Sequence, residues 1–208
     1  MMNPGNHVAS HLNAEAQYKL GVCCLKGIGA TGKDEVEAVR LFRLAADQGH
    51  AGAQFHLGLC YFVGIGGVAE DHARAMRLFH LAADQGHADA QYNLAVSYFY
   101  GEGIGQDAEE AVRLFRLAAD QGHVDAQFNL GICYFKGCGG LTQDSAEAIR
   151  LIRLAADSGD AHAQCQLGTC YIHGEGGLAV DKAEGLRLYR LAADQGHEGA
   201  ISAMRDLC

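Results

Sequence analysis

The sequence has no tryptophan, a single proline and no long apolar run. The near absence of proline leaves long stretches free to form helices, because proline interrupts them more strongly than any other residue. No apolar run reaches the roughly 18 residues of a membrane-spanning helix, and residues 1–11 lack the apolar segment of a signal peptide. We therefore expect a soluble, cytoplasmic protein that does not insert into a membrane.

An excess of positive charge is also missing. The chain has 16 lysine and arginine residues against 25 aspartate and glutamate residues, a formal net charge of −9. This balance opposes binding to the phosphates of nucleic acids or to anionic membrane surfaces. The cytoplasm is reducing, so we expect the eight cysteines to remain thiols.

Glycine is abundant, with 28 residues, and it marks an internal repeat. The string Leu-Ala-Ala-Asp begins at Leu44, Leu81, Leu117, Leu154 and Leu191, with spacings of 37, 36, 37 and 37 residues. Division after each turn produces five repeats, 14–50, 51–87, 88–123, 124–160 and 161–197, and a partial repeat, 198–208. Residues 1–13 form a short N-terminal extension. Such a period is typical of a solenoid, so we predict one continuous domain from residue 14 to 208.

Each repeat has the pattern of two short helices, A and B. In the second repeat, Ala53, Leu57 and Cys60 follow helical spacing, and Gly64–Gly66 comes next. The first glycine is placed to end helix A in the left-handed conformation, and helix B ends at a glycine such as Gly49. An aspartate precedes helix B in every repeat, and a glutamate stands three residues later in four of them, which is the spacing of a capping box. These aspartates are Asp34, Asp71, Asp107, Asp144 and Asp181.

These residues resemble the Sel-1-like repeat family, relatives of the tetratricopeptide repeats, whose pattern is roughly Ala-x-x-x-Leu-Gly-x-x-Tyr-x-x-Gly-x-Gly, then Asp and a helix ending Ala-Ala-x-x-Gly. The fourth repeat matches at Ala126, Leu130, Gly131, Tyr134, Gly137, Gly139, Asp144, Ala155, Ala156 and Gly159. Cys24, Ala95 and Gly185 depart from the pattern in other repeats. The resemblance implies an all-α, right-handed α/α superhelix (solenoid) of five helix–turn–helix repeats plus a C-terminal half-repeat. It also implies an adaptor or scaffold that binds a protein or peptide.

The resemblance further implies that helix A lines a concave groove. Apolar side chains at the fifth and twelfth positions of the repeat form stripes there, and aromatic anchors in a groove suit a helical or extended peptide. The candidate partner-binding residues are Tyr18, Phe55, Phe62, Tyr92, Phe99, Tyr100, Phe128, Phe135, Ile172 and His173. The alternative is that the stripe packs between adjacent repeats and is hidden.

Cysteine stands at the tenth position of four repeats, as Cys23, Cys60, Cys133 and Cys170. Packed helices lie roughly 8–10 Å apart, whereas a disulfide needs Cα atoms within about 7 Å. We therefore expect buried thiols that do not cross-link along the stack. The pairs Cys133/Cys138 and Cys165/Cys170 are five residues apart, which matches no common zinc spacing, and we expect them on diverging helical faces. We predict no metal site and no cofactor.

Histidine ends four repeats, at His50, His87, His123 and His197. We expect these side chains in turns near the C-terminus of helix B, where a partly charged imidazole is mildly favourable, with pH sensing as the alternative. Arg43, Arg116, Arg153 and Arg190 stand near the same ends of helix B. An aspartate stands four residues after each of these arginines. This spacing predicts an exposed face of locally paired charges rather than a nucleic-acid surface.

Two other functions remain as alternatives. Certain cysteine-rich members of the family have been described as β-lactamase-like, but no serine here is followed by lysine three residues later, the motif that such enzymes require. We therefore predict no catalytic residue. The third class is a self-associating structural module, because Ile201, Met204 and Leu207 form an apolar face near the C-terminal end. This face predicts a homodimer through that end.

Overall fold

The computed structural model describes residues 12–28 and 32–207, so most of the N-terminal extension predicted for residues 1–13 lies outside the described residues. Those residues form eleven α-helices and no strand. The helices are α1 (Ala14–Lys26), α2 (Glu35–Asp47), α3 (Ala51–Val63), α4 (His72–Asp84), α5 (Ala88–Tyr100), α6 (Ala108–Asp120), α7 (Val124–Lys136), α8 (Ser145–Asp157), α9 (Ala161–His173), α10 (Lys182–Asp194) and α11 (Glu198–Asp206).

The helices follow the repeat. Helix A of the five repeats is α1, α3, α5, α7 and α9, helix B is α2, α4, α6, α8 and α10, and α11 is the helix A of the partial repeat. The predicted all-α class, built from consecutive helix–turn–helix repeats, is confirmed.

The chain divides into two compact units, Met1–Gln106 and Asp107–Cys208. In the first unit, hairpins α1/α2 and α3/α4 pack together through α2 and α3, and α5 packs on α4. In the second unit, α6 packs on α7, hairpins α7/α8 and α9/α10 pack together through α8 and α9, and α11 packs on α10. Because each helix has only 9 or 13 residues, it is too short to be stable alone and depends on these neighbours.

The core of each hairpin comes mainly from one face of helix B. In α2, Ala38, Leu41, Phe42 and Ala45 have no exposed surface. Burying a side chain of the size of Phe42 stabilises the fold by about 2–3 kcal/mol. The small residue Gly21 on α1 lies directly beneath this ring, since a Cβ there would come within 2.7 Å of Phe42 Cε1.

The predicted left-handed glycine ends helix A in all five repeats, with φ between 65° and 77°. The second glycine of the Gly-x-Gly allows a close contact with the preceding repeat. A Cβ at Gly66 would lie 2.5 Å from the carbonyl oxygen of Glu35 on α2 and would also meet Val39. The turn of one repeat therefore packs on helix B of the preceding repeat, and only glycine fits there.

The aspartate before helix B is its N-cap, as predicted. Asp34 Oδ1 accepts a hydrogen bond from the backbone N–H of Glu37 over 2.9 Å. Glu37 does not complete a capping box, because its carboxylate accepts two hydrogen bonds from Arg40, both of 2.7 Å. The N–H of Asp34 already donates to the carbonyl of Cys24 over 2.9 Å, so the reciprocal bond of a capping box has no donor left to satisfy.

A buried glutamine at the fourth position of the repeat joins three helices, and sequence reasoning overlooked it. Nε2 of Gln164 on α9 donates to the carbonyl of Ala156 on α8 over 3.2 Å. Its Oε1 accepts from Nε2 of Gln195, which follows α10, over 2.9 Å. Burying an amide is favourable only when it is hydrogen-bonded, so these contacts link helix A to the helix B on either side of it.

Candidate partner-binding surface

The structure places the ten predicted site residues at three levels of exposure. Phe55 and Ile172 are buried, each with 7% of its surface exposed. Tyr100 and His173, at the ends of α5 and α9, are exposed. The others are half-buried, namely Tyr18, Phe62, Tyr92, Phe99, Phe128 and Phe135. The set is divided between the two units, with the residues up to Tyr100 in the first and those from Phe128 in the second.

In the first unit, aromatic and imidazole rings form a continuous ring row, defined as Tyr18, His50, His56, Phe55 and His87. The ring of Tyr18 stacks on His50 with centroids 4.5 Å apart, and Phe55 stacks on His87 at 4.9 Å. His56 lies between them, 5.5 Å from Tyr18 and 5.4 Å from Phe55. These separations are typical of favourable ring contacts. The row therefore joins helix A of the first repeat to the starts of the next two.

Two carboxylates border the ring row. Glu15 Oε2 lies 2.9 Å from Nε2 of His50, and its Oε1 lies 2.8 Å from the Lys19 ammonium. Lys19 and then His50 lower the pKa of Glu15. Burial raises the pKa of Tyr18, and the charges of Glu15 and Asp89 raise it further. Glu15 and Asp89 hold the same position near the start of helix A in the first and third repeats.

The histidines at the repeat ends cap the following helix A, which sequence reasoning did not recognise. Their Nδ1 atoms accept hydrogen bonds of 3.1–3.3 Å from backbone N–H groups. The pairs are Ala53 N with His50, Ala90 N with His87, Ala126 N with His123 and Ala200 N with His197. Asp160 caps α9 in the same way over 2.6 Å. The expectation that charge on these imidazoles is favourable is wrong for His87, because burial lowers its pKa and a protonated Nδ1 could not accept the hydrogen bond from Ala90.

The phenylalanines at the twelfth position make contacts within the fold. Phe62 stacks on His72, the first residue of α4, with centroids 4.7 Å apart. Phe135 packs against the buried cluster that contains Ile149 and Ile152, and its Cζ lies 3.2 Å from the position of a Cβ at Gly176. Phe62 therefore packs within its own repeat and Phe135 also reaches the turn of the next repeat, while part of each ring remains exposed.

The second unit has a shorter set of rings. Phe128 lies 6.2 Å from His162, and His162 lies 4.7 Å from His197, whose Nε2 is 3.0 Å from Nδ1 of His162. Cys165 occupies the position that Phe55 holds in the second repeat. In the fifth repeat, a thiol therefore replaces the ring that stacks on a histidine in the second repeat. Within the described ranges, no group of three or more histidine, cysteine or acidic side chains is placed to hold a metal ion.

The cysteines in the described part of the chain are free thiols. Cys60, Cys133 and Cys170 are buried, and Cys23 is half-buried. The expectation that Cys133 and Cys138 lie on diverging faces is wrong. Gly137 reverses the chain directly after α7, and Sγ of Cys138 comes within 3.8 Å of the carbonyl oxygen of Cys133.

Arginines at the end of helix B reach the next repeat, a contact that sequence reasoning missed. Arg43 donates to the hydroxyl of Tyr61 over 3.2 Å, and Arg153 donates to Tyr171 over 3.0 Å. Arg116 and Tyr134 make the same contact at 2.9 Å. The tyrosine of the family pattern in helix A therefore accepts a hydrogen bond from an arginine of the preceding repeat. In each pair the two residues are 18 apart in the chain.

The Sel1 repeat model matches residues 14–50, 51–87, 88–123, 124–160 and 161–197, the five repeats described above. The chain belongs to the Sel1 repeat family. Sel1 repeat proteins generally act as scaffolds that bind protein partners, and their fold is typically non-enzymatic. No curated protein matches the chain.

Solved structures of Sel1 repeat proteins are closely similar. A Sel1 repeat protein from Oxalobacter formigenes is 31% identical with a TM-score of 0.83, over 96% of this chain and 76% of that one. The protective antigen c5321 from uropathogenic Escherichia coli, which displays the same fold, is 37% identical with a TM-score of 0.83. That match covers 94% of this chain but only 41% of the antigen. The immunity protein Pa5087 from Pseudomonas aeruginosa, 21% identical with a TM-score of 0.57 over 96% of this chain and 69% of that one, shares the fold alone.

No helix among the described residues combines the length and the apolar character needed to span a membrane.

Proposed function

We propose that this chain is an adaptor that binds a peptide or a segment of a partner protein along the groove lined by helix A. The ring row of the first unit is the observation that carries the proposal. Core packing alone does not require aromatic residues at half-exposed positions, and Tyr18 and Tyr92 are both half-buried. Rings of this kind are preferred anchors for partners, because they bury a large area with little loss of conformational freedom.

The groups around the ring row are suited to orienting a ligand. Glu15 and Asp89 supply carboxylates at one end of the helices, whereas Tyr100 supplies a 66% exposed ring and hydroxyl at the other end of α5. A partner segment would place apolar side chains on the rings and polar groups at the two edges. In the second unit, Phe128, Phe135 and His173 would form a corresponding surface, with Ile172 beneath it.

The experiment is a selection of peptides from a displayed random library on the purified full chain, followed by calorimetric measurement of affinity. The test variant combines Tyr18→Ala and Tyr100→Ala. The matched control combines Val36→Ala and Leu81→Ala, which remove apolar side chains that are 65% and 51% exposed on helix B in the same unit. All three proteins must show the same helical circular dichroism before affinities are compared.

We expect the test variant to bind selected peptides at least tenfold more weakly, a loss of about 1.4 kcal/mol that is usual for an anchor residue. The control should stay within twofold of the wild type. Weaker binding by the helix B control with unchanged binding by the helix A variant would assign recognition to the opposite surface and refute the proposal.

A further inference from the structure

The turn that follows α7 brings two cysteines together. Gly137 has φ 65°, and the backbone N–H of Cys138 donates to the carbonyl of Cys133 over 3.1 Å. This six-to-one hydrogen bond defines a Schellman turn, in which the side chains of its first and last residues usually touch. Sγ of Cys138 accordingly donates to the carbonyl oxygen of Cys133 over 3.8 Å, which brings the two thiols close together.

The same turn occurs in all five repeats, but only the fourth has cysteine at both positions. The corresponding pairs are Cys23 with Ile28, Cys60 with Ile65, Ser97 with Glu102 and Cys170 with Glu175. The chain therefore contains its own comparison, because three other cysteines occupy the first position without a thiol at the second.

We propose that Cys133 and Cys138 are a site of reversible oxidation, where a peroxide converts the two thiols into a disulfide. Cys138 is half-buried in the turn, whereas Cys133 is only 2% exposed. Burial raises the pKa of the Cys133 thiol to about 12, which makes it a poor first nucleophile because the thiolate is the reactive form. Cys138 is therefore the residue that meets the oxidant.

The chemistry balances with hydrogen peroxide as the oxidant. Sγ of Cys138 attacks one peroxide oxygen, the O–O bond breaks, and Cys138 becomes a sulfenic acid while one water is released. Sγ of Cys133 then attacks Sγ of Cys138, the S–S bond forms, and the S–OH bond breaks with release of a second water that carries the Cys133 proton. Two thiols lose two electrons and two protons, and one peroxide is reduced to two waters.

The disulfide would act on a contact between repeats. Gly139 follows Cys138 directly and packs on the carbonyl of Ala108 and on Val112 of α6. A covalent bond from Cys138 to the last turn of α7 would therefore fix the segment through which the fourth repeat contacts the helix B before it. This role is independent of the proposed partner binding.

The test is peptide mapping of the full chain after hydrogen peroxide treatment and alkylation of the remaining thiols. Lys136 lies between the two cysteines, so trypsin separates residues 117–136 from residues 137–150, with Cys133 and Cys138 as their respective cysteines. We expect these two peptides to be joined after oxidation and separated again by dithiothreitol. The Cys138→Ser variant should lose the joined species, whereas Cys23→Ser should retain it.

A gain-of-function variant makes the test independent of any folding defect. Ile65→Cys places a second thiol opposite Cys60 in the equivalent turn, and we expect a new disulfide there, seen as the loss of two hydrogens from the peptide that holds both residues. Peroxide treatment that leaves Cys133 alkylated while Cys138 becomes a sulfinic acid would overturn the proposal. Joining of Cys138 to a cysteine of another molecule, with Cys133 still a thiol, would also overturn it.

Discussion

Nε2 of Gln195 donates to Oε1 of Gln164 over 2.9 Å, whereas the equivalent Oε1 of Gln127, one repeat earlier, has no partner among the described residues. The difference follows from a single residue. Ser158 stands where the other repeats have glutamine, and its hydroxyl donates a hydrogen bond to the carbonyl of Leu154 over 2.9 Å. Serine is too short to donate to Gln127, so a buried acceptor is left unsatisfied.

Ser158→Gln should therefore stabilise the protein. The new amide would donate to Gln127 Oε1 and keep the bond to the Leu154 carbonyl, as Gln195 does with Leu191. We expect a gain of about 1 kcal/mol in the free energy of unfolding, measured by urea denaturation. The reciprocal variant, Gln195→Ser, should lose about 1–2 kcal/mol, because it leaves Gln164 in the state of Gln127. No gain from Ser158→Gln would show that the acceptor is satisfied by solvent.

The stability of the protein should fall on mild acidification. Burial lowers the pKa of His87, as do the nearby His56 and His50, while Asp89 raises it in part. The folded state therefore binds protons less readily than the unfolded chain, whose histidines titrate at about pH 6.5. The contribution of neutral His87 to the free energy of unfolding is fully present above that pH. It decreases as the pH falls from there towards the folded-state pKa.

The measurement for this pH effect is the thermal unfolding midpoint from about pH 7.5 to pH 5, a range that spans the titration of histidine. His87→Asn keeps an N-cap acceptor but removes the titrating group, so its midpoint should depend less on pH than that of the wild type. An identical pH dependence in both proteins would mean that His87 does not contribute.

Adjacent glycines in the second repeat should respond differently to alanine. Gly66 and Gly67 have φ of 68° and 78°, so alanine is strained at both and each change costs about 1–2 kcal/mol for that reason. Only the Cβ at Gly66 meets backbone, 2.5 Å from the Glu35 carbonyl, since the nearest atom to one at Gly67 is 3.7 Å away.

We therefore expect Gly66→Ala to cost about 1–3 kcal/mol more than Gly67→Ala, the range for forcing an atom into a packed interface. Urea denaturation of the two variants provides the comparison. Equal losses would mean that the turn moves away from α2 without cost, and the packing argument would fail.

Self-association through α11 remains a prediction from the sequence. Ile201 and Met204 on α11, with Ala193 and Arg205, line an open cavity of about 470 Å³. We expect the mass from light scattering to rise with protein concentration, and Met204→Glu to suppress this rise because it introduces a charge into the apolar contact. Ser202→Glu, on the same helix but exposed, should leave it unchanged. A mass that stays monomeric at every concentration would contradict the prediction.

The repeat period, the helix ends and the buried face of helix B could all be predicted from the sequence, because each depends on local spacing. An apolar position every three or four residues, a left-handed glycine and an aspartate N-cap are set within a few residues of chain. Five near-identical copies then imply stacking, since one hairpin such as α1/α2 cannot bury its own apolar face.

Contacts between repeats were decided only by the tertiary structure. His50 ends one repeat in the sequence, yet its ring caps the helix of the next repeat and stacks on Tyr18 of α1. Within the fourth repeat, the turn also decides a contact, since Cys138 comes close to Cys133 only because a left-handed residue reverses the chain. These contacts depend on where the turns direct the chain in space. The pattern of residue types therefore predicts the hairpins but not the side-chain contacts across the turns and between repeats.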